Sequence, residues 1–209
     1  TKKPRLRIDT HYNDDLLPGH QKILKELRRN NNTGRFLLHG SPGTGKSTYI
    51  KFLAHTVKKD MLVIPARIAA NLDSPRLNEL LITKGCSIII IEDAENLLMA
   101  RENNNSNVSM LLNLTDGILG ESMGIQIICT FNCDIRKIDE ALLRKGRLKA
   151  IYQFENLSGE KARQLLSARG ISTDSQTPAM SLANIYNYEE ENQTRENPAK
   201  RRIGFAYAV

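Results

Sequence analysis

Apolar residues in this chain come in short runs whose spacing switches between strand-like and helix-like periods. Arg35–His39, Met61–Ile64, Ser87–Ile91, Ile125–Phe131 and Ala150–Phe154 are brief, apolar and bounded by turn formers, which predicts five strands. Ile88–Ile91 is four consecutive isoleucines, β-branched and apolar on both faces, as a central parallel strand requires. Between these runs the period lengthens. Gly19–Arg29 carries Ile23, Leu24 and Leu27 at helical spacing, and Lys46–Lys58 buries Ile50, Phe52, Leu53 and Val57. Ala69–Leu72 and Leu77–Leu81 read as helical pieces around the breaker Pro75. Val108–Asp116 is a leucine-rich helix stopped by Gly117, and Asp139–Leu143 is a short helix. His11–Leu17 and the turn cluster Asn30–Gly34 read as irregular, and polar Glu102–Asn107 as a mobile loop.

Strand and helix alternate from residue 35 to 154, which predicts an α/β fold with a doubly wound, five-stranded parallel sheet. After Asn156 the strand pattern ends. Ser158–Arg169 opens with a Ser-x-Glu capping signal and continues as an amphipathic helix, and Met180–Asn187 adds more helix. The organisation expected is an N-terminal segment and helix (1–34), a nucleotide-binding α/β domain (35–155), a small helical lid (156–192) and a partly ordered polar tail (193–209).

With 209 residues and 40% apolar content, the chain can bury a sizeable core, which excludes a disordered protein. No apolar run approaches the roughly 20 residues that span a bilayer, and no secretory signal opens the sequence. The first residue is Thr1, not methionine, so the sequence reads as a piece of a longer protein. The three cysteines, Cys86, Cys129 and Cys133, have no disulfide-framework spacing. Cys129 and Cys133 lack nearby ligands to complete a metal site, so they read as structural, in a reducing, cytoplasmic compartment. The net charge of +7 admits an anionic partner. It is spread along the chain, however, densest at Thr1–Arg7 and Lys200–Arg202, with no basic stripe interleaved with aromatics. Nucleic acid is therefore a possible partner but not the favoured one.

The chemistry is concentrated at the strand ends. Gly40-Ser-Pro-Gly-Thr-Gly45-Lys46-Ser47 matches the G-x-x-x-x-G-K-[ST] phosphate loop, with a strand before it and a helix after it. Glycines let consecutive N–H groups point at phosphate oxygens, and the following helix adds the positive end of its dipole. Gly40, Pro42, Gly43, Thr44, Gly45, Lys46, Ser47 and Thr48 are the expected ATP contacts, with Lys46 on the β- and γ-phosphates and Ser47 on Mg²⁺. The alternative is a glycine-rich strand–helix turn that spells the motif by chance. Glu92 and Asp93 end the isoleucine strand. Glu92 is assigned to the Mg²⁺ shell, and Asp93 to orienting or deprotonating the attacking water. Asn132, at the next strand end, can bond the water or the γ-phosphate, although asparagine there also forms turns. Arg144 and Arg147 flank a glycine turn and can stabilise the charge that develops on the phosphoryl group, or else form a basic surface turn.

These segments, with Leu111-Leu-Asn-Leu-Thr-Asp-Gly117, Thr130-Phe-Asn132 and Ile138–Arg147, resemble the AAA family of ATPases over nearly the whole chain. The Glu-then-Asp order is similar to the branch that includes the mitochondrial Rieske-protein translocase; the commoner order is Asp then Glu. The resemblance implies a Mg-dependent ATPase in which Asn132 is the first sensor. It also implies that Arg144 and Arg147 reach a neighbour's nucleotide in a homo-oligomeric ring of six or seven subunits acting on protein. Tyr12–Asp15 would lie beside the adenine. Pro65–Asn71 lacks the aromatic and glycine of a polypeptide-gripping loop, and Leu182-Ala183 is the nearest match to the second sensor. Two alternatives stand beside a protein remodeller: a nucleic-acid motor or loader, and an ATP-gated assembly scaffold.

Overall fold

The computed structural model describes residues 4–69, 74–84, 87–99, 106–174 and 176–188. Strands β1 (Gly34–Gly40), β2 (Met61–Pro65), β3 (Ile88–Glu92), β4 (Gln126–Phe131) and β5 (Leu148–Phe154) stand at the five apolar runs. They make one sheet in the order β2-β3-β4-β1-β5, and all four pairings are parallel. Parallel strands need crossover connections, and helices supply them. In chain order these and the flanking helices are α1 (Ile8–His11), α2 (Leu16–Arg28), α3 (Lys46–Thr56), α4 (Ala66–Ala69), α5 (Pro75–Lys84), α6 (Glu95–Leu98), α7 (Ser106–Asp116), α8 (Ile118–Met123), α9 (Gly159–Ala168) and α10 (Leu182–Tyr186).

Side chains alternate across a strand, so each strand feeds two cores. On one face Phe36 and Leu38 of β1, Ile88 and Ile90 of β3 and Ile128 of β4 pack with Leu27, Leu53, Leu166 and Ile185 from α2, α3, α9 and α10. On the other face Leu37, Ile89, Ile91, Ile127, Cys129 and Phe131 pack with Leu81 of α5, Leu97 and Leu98 of α6, and Val108, Leu111 and Leu114 of α7. The four isoleucines of β3 are buried throughout, which is why the run shows no alternation in the sequence. Truncating one to alanine would cost roughly 2–5 kcal/mol, a large share of a domain's stability.

At the amino edge of the sheet, Arg35 is only 2% exposed. Its Nη1 donates to Thr115 Oγ1 at 2.7 Å and to Asp116 Oδ1 at 2.8 Å. This pins the end of α7 to β1. Burial pulls the guanidinium below its usual pKa, and Asp116 partly restores it.

Several boundaries differ from expectation for identifiable reasons. The helix expected from Gly19 starts at Leu16, because Pro18 falls in the first turn, where no intrahelical donor is lost. Pro75 opens α5 for the same reason and does not break a helix. A further helix, α8, follows Gly117, where the sequence reading had only a stop. Residues expected as Asp139–Leu143 helix form a 3-10 turn, Glu140–Leu143, capped by Asp139 accepting from Ala141 N. Ser158 caps α9 by accepting from Lys161 N. The expected helix Ala69–Leu72 is Ala66–Ala69, with residues 70–72 outside those described. Of the expected mobile loop, residues 102–105 also lie outside, while 106 and 107 begin α7. Cys86, residues 1–3 of the first basic cluster, the polar tail and Lys200–Arg202 lie outside too. Among the described residues no helix is long and apolar enough to cross a membrane.

His20 and His39 are buried at 7% and 6% exposure, and burial pulls both below the usual imidazole pKa. The unfolded chain therefore binds more protons than the folded one once the pH drops below about 6.5. Stability should fall as the pH drops through and below that value. Urea midpoints measured between pH 7.5 and 5.5 should decline, and the double variant His20→Gln/His39→Gln should decline less. An equal slope in the two proteins would count against this account.

Candidate nucleotide site

The carboxyl ends of parallel strands are where an α/β sheet exposes unpaired backbone and helix N-termini together. Here β1 ends at Gly40, and the loop to α3 turns through Gly43 (φ 79°) and Gly45 (φ 97°), a left-handed region that side chains disfavour. The loop is braced on every side. A Cβ on Gly40 would lie 2.1 Å from Phe154 O, and one on Gly45 would lie 2.5 Å from Leu182 Cδ1 and 3.1 Å from the Tyr12 ring. The Tyr12 hydroxyl donates to Gly45 O at 2.9 Å, and Ala183 N of α10 donates to Gly43 O at 3.0 Å. Thr44 is buried, and its hydroxyl donates to Ser41 O at 2.7 Å, so it closes the loop on itself.

Lys46 opens α3 and donates from Nζ to Gly40 O at 2.6 Å and Ser41 O at 2.9 Å. Burial lowers its pKa, and the charges of Asp93 and Glu95 raise it again. The charges of two carboxylates thus reach the ammonium.

Asp93 follows β3 and takes a left-handed backbone (φ 53°), sparse for a residue with a side chain and common at functional sites. The conformation is held by β4: Asp93 N donates to Thr130 Oγ1 at 3.2 Å and Ala94 N to Thr130 O at 2.8 Å. Asn132, just past β4, donates from Nδ2 to Asp93 Oδ1 at 3.3 Å and to Glu95 Oε1 at 2.7 Å. Its backbone N–H also donates to Glu95 Oε1, at 2.6 Å.

These groups surround a cavity of about 640 Å³. Pro42, Gly43, Gly45, Lys46, Ser47, Thr48, Asp93 and Asn132, all singled out in the sequence, line it. Gly40 lines an adjoining pocket of about 330 Å³ with His39, Asp134 and Glu155. Glu92 is half-buried at the end of β3 and is not among the residues lining the larger cavity. Tyr12–Asp15 brace the surroundings; the N-terminal residues that reach the cavity are Pro4, Arg5, Leu6 and His11. His11 Nε2 bonds the Tyr186 hydroxyl at 2.9 Å, and Arg169 stacks over the Tyr186 ring at 4.7 Å. Lys161 Nζ of α9 donates to Asp9 O, Tyr12 O and Asp14 Oδ1, tying the N-terminal segment to the C-terminal helices. The sequence reading missed Glu95, His11 and Tyr186. The third carboxylate of Glu92-Asp-Ala-Glu95 was the one visible sign of the first.

Arg144 and Arg147 lie elsewhere. They precede β5, whose start pairs with Arg35 at the amino edge of the sheet. Arg147 donates to Thr33 Oγ1 at 2.8 Å, contacts Glu121 and stands 3.6 Å from Asp116 Oδ1. Arg144 is exposed and makes no side-chain hydrogen bond or ion pair among the described residues. Cys129 is buried and Cys133 half-buried, both as free thiols, and burial pushes the Cys129 thiol up to about 12.

The loop, ammonium and opposed acid suit a triphosphate. Ser47 with a nearby acid suits Mg²⁺, which keeps most of its shell as water and phosphate oxygen. Among the described residues no cluster of three or more His, Cys, Asp or Glu is placed to hold a metal by itself.

The profile of the ATPase family associated with various cellular activities (AAA) matches residues 36–156, more than half of the chain. Curated relatives include a probable mitochondrial chaperone BCS1-A of Dictyostelium discoideum, 28% identical over 74% of this chain and 39% of that protein. The probable mitochondrial chaperone bcs1 of Schizosaccharomyces pombe is 29% identical over 63% of this chain and 30% of its own length. The Arabidopsis thaliana protein AAA-ATPase ASD, mitochondrial, is 34% identical over 62% and 30%. The chain spans about a third of the length of these relatives.

Because Gly45 is both left-handed and enclosed, Gly45→Ala should weaken Mg-ATP binding at least tenfold, about 1.4 kcal/mol, as read by fluorescent-nucleotide titration. Wild-type affinity in a folded Gly45→Ala protein would contradict the loop geometry.

Proposed function

The chain belongs to the AAA family of ATPases, and from that premise we propose that it is one subunit of a ring that uses Mg-ATP hydrolysis to remodel or translocate protein substrates. The observation that carries this reading is the division of the parts. One cavity gathers Lys46, Ser47, Asp93 and Asn132, while Arg144 stands exposed away from it. An arginine from that turn can complete a site only in a second copy of the chain.

In this reading the amides of the loop and Lys46 hold the phosphates. Asp93 accepts the proton of the attacking water and Asn132 orients it. Ser47 and Glu92 would hold Mg²⁺, which when bound offsets charge on the phosphate oxygens. The described part of the expected lid, residues 156–174 and 176–188, serves as a cover for the site, supported by the bond from Ala183 N to the loop carbonyl of Gly43. The names of the fungal and amoebal relatives, mitochondrial chaperones, favour a protein substrate. They also move the expected compartment from the cytoplasm toward the mitochondrion. The scaffold alternative draws on the short Asp93 side chain in the position of the base. The nucleic-acid alternative draws on net charge alone.

Turnover by the purified chain separates these readings. Asp93→Asn should lower kcat by roughly 10²–10⁴ and leave nucleotide binding intact. Arg144→Ala should lower it by about 10³. Mixing Arg144→Ala subunits with Lys46→Ala subunits should restore part of the activity, because each supplies what the other lacks. Equal, negligible rates in wild type, Asp93→Asn and Lys46→Ala assembled rings would support the scaffold. Full activity of Arg144→Ala would remove the case for a shared site.

A further inference from the structure

We propose that Glu95 is a positioning residue for hydrolysis, which fixes the carboxamide of Asn132 so that its carbonyl oxygen, not its amide, is offered to the attacking water. This rests on reading the same cavity as a nucleotide-hydrolysing site.

A neutral carboxamide has two N–H donors and one carbonyl acceptor. Both donor directions of Asn132 are used: Nδ2 reaches Glu95 Oε1 at 2.7 Å and Asp93 Oδ1 at 3.3 Å. The same Glu95 oxygen takes the backbone N–H of Asn132 at 2.6 Å, so one carboxylate clamps both the main chain and the side chain. Two bonds from one residue to a single oxygen leave the amide one orientation. No described residue donates to Asn132 Oδ1, and Asn132 lines the cavity. With its nitrogen held between two carboxylates, the group that remains for a ligand is its carbonyl oxygen.

A carbonyl acceptor cannot bond a phosphate oxygen, because both are acceptors. It can bond one hydrogen of a water whose other hydrogen points at Asp93. Asn132 thus orients water and does not bind the terminal phosphate. The aspartate is a methylene shorter than a glutamate would be in its place, so the water needs this second tether. Glu95 lies at the first position of α6, and its charge also reaches Lys46. It therefore bonds the sensor directly and reaches the ammonium of Lys46 only through its charge, without lining the cavity itself.

Glu95→Gln and Glu95→Ala separate the anchor from the charge. Glutamine's carbonyl oxygen can accept the same two bonds from Asn132, and alanine cannot. Glu95→Ala should lower kcat by about 10²-fold, the scale of a misplaced reactant, with KM for ATP nearly unchanged. Glu95→Gln should stay near wild type. If Glu95→Gln is as slow as Glu95→Ala, the charge acts and not the anchor, and the proposal is overturned. Wild-type turnover in Glu95→Ala overturns it as well. A second readout needs no turnover: the side-chain amide resonances of Asn132, assigned by their loss in Asn132→Ala. They should move in Glu95→Ala and hold in Glu95→Gln; unmoved resonances in Glu95→Ala overturn the anchor. If wild type binds Mg-ATP and never hydrolyses it, the hydrolytic reading fails separately, and the resonances still decide whether Glu95 holds Asn132.

Discussion

Hydrogen bonds between parallel backbones decide which side chains meet at the carboxyl edge of this sheet. β1 lies between β4 and β5, and the pairing of His39 with Phe131 brings the residues that follow, Gly40 and Asn132, side by side. β3 lies beyond β4, with Ile91 opposite Cys129, so the chain leaving β3 at Asp93 meets Thr130 and is stitched to it by two bonds. A slip of one residue would turn Phe36 and Leu38 into the opposite core and part the phosphate loop from its acid. The two cores therefore enforce the register, and the register builds the site.

The fold was largely legible because burial of a parallel strand on both sides leaves an unmistakable mark. Ile88–Ile91 has it most clearly. What escaped was local and depended on where a residue falls within an element. Pro75 read as a breaker, yet it sits in a first turn, as Pro18 does, where a missing N–H costs nothing. The helix α8 is six residues long and follows a glycine, too short for a periodic signal. Of the site, the sequence made legible which strand ends would carry the loop, Asp93 and Asn132. Glu95 escaped because its partner is 37 positions away, across a strand pairing that the sequence does not print. His11 and Tyr186 escaped for the same reason on a larger scale.

The arginine turn shows the complementary case, a motif whose spacing is visible but whose surroundings are not. Two arginines three residues apart look equivalent in the sequence. In the fold Arg147 is engaged by Glu121, Thr33 and Asp116, the last of which also holds buried Arg35. Arg144 is left exposed beside it. The ion pairs behind the turn tie α7, α8, β1 and the residue before β5 together.

The contact between His11 and Tyr186 joins residues 175 positions apart, and Lys161 reaches back 152 to Asp9. The part of the cavity wall formed by His11 and Tyr186 thus depends on a contact between distant parts of the chain. Closing so long a loop is entropically expensive, and topologies dominated by distant contacts fold slowly. During synthesis the sheet, its crossovers and the phosphate loop all leave the ribosome before the helix that finishes the cavity. For that interval the loop lacks the brace that Ala183 of α10 gives to Gly43, and the wall formed by His11 and Tyr186 is assembled last.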